Sequence, residues 1–172
     1  MGRKYTKRVI TEVNTGNLML DRFLQMPVSA AQRVERAEER YEEATVRAGV
    51  RGMNYEYAGM LGCRVMGTGC ADKDPMLDVI EASEEITRAK DKYKAVYRMF
   101  YNTLKDAGLT KDMIRVCVAR YSTSQVLDMG AVARATYIKK TKCQTLHQQA
   151  LRILLAYLLA EAEKQKILEM GA

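Results

Sequence analysis

The sequence predicts an all-α protein: an N-terminal helical hairpin of coiled-coil-like helices, followed by a C-terminal helix-turn-helix with an extended last helix. Three observations carry that expectation. Lys, Arg, Glu, Ala, Leu and Met, all good helix formers, are plentiful, and only two residues are Pro. Apolar residues recur at alternating spacings of three and four over two long stretches, the pattern of one buried helical stripe. Residues that start and stop helices punctuate the C-terminal half at short intervals.

Residues 1–8 form a basic arm, and a short apolar patch from Leu18 to Phe23 precedes Pro27, read as a breaker. Ser29-Ala30-Ala31-Gln32 matches a capping box, which would open a helix at about residue 30. Val34, Ala37, Tyr41, Ala44 and Ala48 give that helix a narrow apolar seam, and Gly49 is its expected stop. Six of the eleven glycines fall between Gly49 and Gly69. This stretch reads as a turn-rich connector with a short helix around Tyr55 to Leu61. Its Gly67-Thr68-Gly69 lacks the spacing and the lysine of a phosphate-binding loop.

Asp74-Pro75 is a strong helix opening. The seam of Ile86, Ala89, Tyr93, Val96 or Tyr97, Phe100 and Leu104 extends this helix to a stop at Gly108, with Leu109 placed for a Schellman contact. The two seams suit either an intramolecular hairpin or a homodimer interface. Thr110 caps a third helix with Met113, Ile114, Val116, Cys117 and Tyr121 on its apolar side. After a polar connector from Ser122 to Leu127, Asp128 caps a short helix ending near Ala135. A turn over 136–138 leads into a last helix running from Lys139 to about Leu168. The chain thus divides into residues 1–109, for packing or partner binding, and residues 110–172.

The net charge of +7 points to an acidic partner, and its distribution is uneven. Residues 129–172 hold seven basic and three acidic side chains, whereas 72–91 hold seven acids and three bases. Asp72, Asp74 and Asp78 lie at a helix start, where acids are favoured without any metal. Cys63, Cys70, Cys117 and Cys143 are not expected to form a disulfide or zinc framework, and the latter two fall on apolar faces of expected helices as small hydrophobes. The longest apolar run, Ile153 to Ala160, is far short of the ~20 residues of a membrane helix. A cytoplasmic protein without cofactor, metal or membrane contact is expected. His147, the sole histidine, has no nucleophile pattern around it and reads as an exposed helix residue, so no enzyme is expected.

The strongest functional signal lies between Met129 and Ala160, which contain Arg134, Lys139, Lys140, Lys142 and Arg152 and no acid. Val132, Ile138, Cys143, Leu146, Ala150 and Leu151 are spaced to face a scaffold, with Ala133 small where two helices cross. The same spacing turns Lys139, Lys140, Lys142, Gln144, Thr145 and Gln148 outward. Cations attract phosphates, and amide or hydroxyl side chains can reach base edges in a major groove.

On Arg120-Tyr121, Val132-Ala133, Ile138 and the run Leu146-His147-Gln148-Gln149-Ala150-Leu151-Arg152-Ile153-Leu154, the chain resembles region four of bacterial sigma factors. It is more closely similar to the small phage regulators of ArpU and RinA type, late-transcription activators built on that helix-turn-helix. The likeness covers about 110–155 and extends loosely to 72–109. It implies a sequence-specific, DNA-binding phage regulator whose last helix enters the major groove of double-stranded DNA, with RNA polymerase or another host nucleoprotein as a further partner. By that likeness Lys139 and Lys140 meet phosphates or base edges, and Lys142 and Gln144 read bases. Thr145 and Gln148 lie nearer the backbone, and Arg134 is a phosphate anchor. The turn position usually held by Gly is Tyr137, a residue that resists positive φ. The competing reading is a small inhibitor of anti-CRISPR type that uses the basic helix against a nucleoprotein. A structural subunit of a phage particle is the third.

Overall fold

The computed structural model describes residues 11–60 and 75–170, with side chains over 11–49 and 76–166 and at Glu169. These residues form helices and no strand: α1 (Leu18–Met60), α2 (Pro75–Asp106), α3 (Lys111–Tyr121), α4 (Met129–Thr136) and α5 (Lys140–Met170). The all-α expectation is met. The basic arm, Cys63, Cys70, Asp72, Asp74 and the Gly67-Thr68-Gly69 motif lie outside the described residues.

Helix α1 corrects three expectations at once. It begins at Leu18, before the Ser29 capping box, because Asn17 caps it: Asn17 Oδ1 accepts from the Met19 and Leu20 N–H groups at 3.1 and 3.2 Å. Pro27 sits inside the helix and does not break it. An interior proline costs ~3 kcal/mol or more, but the same turns bury Leu20, Phe23, Leu24, Pro27 and Val28, and that burial offsets it. Gln32 serves the tertiary structure, since its Nε2 donates to the Ser124 carbonyl at 3.0 Å. Gly49 likewise does not end the helix, which runs on to Met60 and takes in most of the short segment expected from Tyr55.

The later boundaries follow local chemistry closely. Pro75 is the first residue of α2. At its end Gly108 adopts φ +77°, the Leu109 N–H donates to the Leu104 carbonyl at 3.3 Å and the Gly108 N–H to Lys105 at 2.9 Å. This is the Schellman pattern, and Leu109 and Leu104 are both buried. Thr110 and Asp128 cap α3 and α4 through their side chains, accepting from Met113 and Ala131. All five residues expected on the apolar side of α3 are buried.

The chain forms two compact units, one of residues 1–32 with 93–172 and the other of residues 33–92, so the boundary runs through α1 and α2. In the first unit, Leu20, Phe23, Leu24 and Val28 from α1 share a core with Phe100, Leu104, Met113, Cys117, Tyr121, Ala150 and Leu154. Phe23 and Phe100 meet with ring centroids 5.3 Å apart. A second cluster joins α3, α4 and α5 through Val116, Val132 and Cys143, with Ala133, Ile138 and Leu146 packed against it. The 33–92 unit buries Ala37, Ala44 and Ala82 among its described residues. Ion pairs link its two helical segments: Glu38 with Lys90 at 2.8 Å, and Arg40 with both Glu85 and Asp78. Their order along the chain is antiparallel, as a hairpin requires.

Candidate nucleic-acid interface

Helices α3, α4 and α5 pack on one another, and the turn of Tyr137, Ile138 and Lys139 joins the last two. Two interactions set this turn. The Arg115 guanidinium on α3 donates to the Thr136 carbonyl at 3.0 Å, satisfying an acceptor at the end of α4. Thr136 Oγ1 turns inward and donates to the Val132 carbonyl at 2.8 Å. Tyr137 then takes φ +58°, the sole non-glycine at positive φ among the described residues. The left-handed turn expected of Gly is therefore made by Tyr, at a cost of roughly 1–2 kcal/mol. Its side chain is 94% exposed, so no packing offsets that strain. From the sequence Tyr137 stands out only as a misfit at the turn, and the fold adds its exposure.

Along α5, Cys143, His147, Ala150 and Leu154 are buried, at spacings of four, three and four that define one inward stripe. The opposite stripe holds Thr141, Thr145, Gln148 and Arg152, all exposed. Every side chain singled out from the sequence is exposed as well: Arg134 on α4, Lys139 in the turn, and Lys140, Lys142, Gln144, Thr145 and Gln148 on α5. Gln144 and Lys140 flank the outward stripe on one side. Lys142 lies on the other flank, where its Nζ is 3.9 Å from Asp112 Oδ2, and the same carboxylate is 3.9 Å from Arg115. Thr145 Oγ1 donates back to the Thr141 carbonyl at 3.2 Å, leaving its lone pairs outward. Thr141 and Arg152 were not among the site residues expected from the sequence, although the same helical spacing that turns Thr145 and Gln148 outward places them on this stripe.

His147 overturns the expectation of an exposed residue. It is 8% exposed, and its Nε2 lies 2.8 Å from Tyr121 Oη. The reason is register: position 147 falls on the inward stripe, facing α3. Burial, then the nearby Arg120 charge, lowers its pKa from 6.5 to about 4, so the ring is neutral at pH 7. Burial pushes the Tyr121 phenol up to about 12. Arg120 lies 5.6 Å from the centre of the Tyr121 ring. This neutral pair holds α3 to α5 beneath the exposed basic face.

Cys117 and Cys143 are buried free thiols, as expected, and burial pushes Cys117 up to about 12, far from a reactive thiolate. Among the described residues no cluster of His, Cys, Asp or Glu could hold a metal, and no helix is long and apolar enough to cross a membrane. No protein-family model, no curated protein and no solved structure matches the chain.

Proposed function

We propose that the protein is a sequence-specific DNA-binding regulator of phage type, in which α4, the 137–139 turn and α5 act as a helix-turn-helix of sigma region-four kind. The single observation behind this reading is the division of α5: an apolar stripe buried against α3 and α4, and an exposed face of Lys, Thr, Gln and Arg without an acid before Glu161. A recognition helix needs both halves, one for rigid placement and one to face the duplex.

Phosphate contacts supply affinity without sequence information, while base contacts discriminate. Arg134, Lys139 and Lys140 are assigned to phosphates. Gln144 is assigned to base edges, with Lys142 shared between a guanine contact and its Asp112 pair, and Thr145 and Gln148 are assigned nearer the backbone. The exposed Tyr137 ring stands at the turn beside Lys139 and is assigned to the edge of the groove, against sugar and phosphate.

The test begins with selection of a preferred site from random duplexes, then titrates that site and a random duplex at two salt concentrations. Lys139→Ala should weaken both duplexes about equally and flatten the salt dependence. Gln144→Ala should cost ~1–3 kcal/mol on the preferred site and leave random duplex nearly unchanged. Equal losses on both duplexes would remove the base-reading role of Gln144. An absence of duplex binding by the wild type at low salt would sink the proposal and favour the inhibitor that turns this basic face toward a nucleoprotein.

A further inference from the structure

Where the end of α2 meets α3, the surface opens into a groove of about 650 Å³. One wall is the α2 ridge of Tyr97, Tyr101 and Lys105, each four residues from the next, with the two tyrosine rings stacked at 6.4 Å and 13°. The floor is apolar: Leu109 from the α2–α3 turn, and Ile114 and Val118 from one i, i+4 ridge of α3. Lys105, Lys111 and Arg115 rim it, and no acidic residue lines it. Lys105 lies 5.6 Å over the Tyr101 ring, and Arg115 is shared with the Thr136 carbonyl and Asp112.

We infer that this groove is a docking site for an acidic amphipathic helix of a protein partner. An i, i+4 row of side chains from each helix lines the groove, and the occupant that interdigitates with such rows is another helix. Its apolar residues at i, i+4 and i+7 would cover Ile114, Val118 and Leu109, while its carboxylates would meet the lysine rim. Charge complementarity therefore selects the partner's sign, and the apolar floor selects protein over nucleic acid. Bases and phosphates gain no hydrogen bonds from Ile, Val and Leu, and nucleic-acid surfaces are polar and wet. The inference stands apart from the DNA reading, because none of the side chains assigned to the duplex lines the groove.

The experiment is selection of the full chain against displayed random peptides of about 16 residues, long enough for roughly four helical turns. Selected peptides would then be titrated by fluorescence anisotropy against wild type, Lys105→Glu/Lys111→Glu and Tyr101→Ala. All three substituted side chains are exposed, and circular dichroism checks that the variants fold. The expected winners are net acidic with apolar residues at helical spacing. Their affinity should fall about tenfold or more in the double charge reversal, less in Tyr101→Ala, and progressively with added salt. A failure to enrich acidic peptides, or winners indifferent to both variants, would overturn the inference. So would a single-stranded oligonucleotide that binds the wild type and loses affinity in the same double variant.

Discussion

The two units of this chain are held by different forces, and the contrast shows which one specifies a surface. The unit of residues 1–32 with 93–172 buries Phe, Leu, Val, Met and Tyr side chains from α1, α2, α3 and α5 in one core. Residues 33–92 bury only alanines among the described positions, and the linkage visible between their helical segments is ionic and half exposed. Large apolar side chains fix rotation about a helix axis, because a slip of one position would expose them. Alanines and long charged side chains tolerate such slips at little cost. The candidate interface sits on the first kind of framework, so the outward stripe of α5 is as well defined as the inward one.

The sharpest way to break the contrast is to cut each unit at a side chain that ties its helices together. Phe100 is fully buried and pairs with Phe23, so Phe100→Ala should cost ~3–5 kcal/mol. Chemical denaturation would measure it, and a loss below about 1 kcal/mol would mean that this core is not what holds α1 and α2 to α3.

A pH titration probes the same unit one step lower. His147 has a folded-state pKa of about 4, below its ordinary 6.5. The unfolded chain therefore takes up the proton first as pH falls. Stability contributed by the neutral ring is fully present above about pH 6.5. It declines as pH drops and reaches its full loss, on the order of 3 kcal/mol, below about pH 4. His147→Gln should flatten that slope between pH 6.5 and 4. An unchanged slope in the variant would assign the acid sensitivity to other groups.

The smallest effect is expected in the other unit. Arg40 contacts both Glu85 and Asp78, with side chains between a third and a half exposed. Arg40→Ala should cost no more than about 1 kcal/mol, and the difference should shrink in high salt. A loss comparable to that of Phe100→Ala would show that the ion pairs of residues 33–92 act as a core.

Local chemistry made much of the second half legible. The Schellman stop at Gly108 and Leu109, the Thr110 and Asp128 caps and the buried face of α3 each depend on residues within one or two turns. The outward placement of the cationic and amide residues of α5 was legible for the same reason, since helical spacing sorts a 3.6-residue repeat without any partner. The first half misled where a local signal met a distant partner. Ser29-Gln32 has the form of a helix start, yet Gln32 bonds across to Ser124, and Pro27 is kept within α1 by the core around Leu24 and Val28.

By itself, then, the sequence determined the helical character of the described residues, the boundaries of the last helices and an outward face of α5 whose own residues carry no acid before Glu161. Only the tertiary structure decided that α1 runs through Pro27, that His147 pairs with Tyr121, and that Tyr137 is bent into positive φ with its ring in solvent. Those outcomes depend on contacts between residues far apart in sequence, whose free energies of several kcal/mol outweigh the propensities of about 1 kcal/mol that a local reading can see.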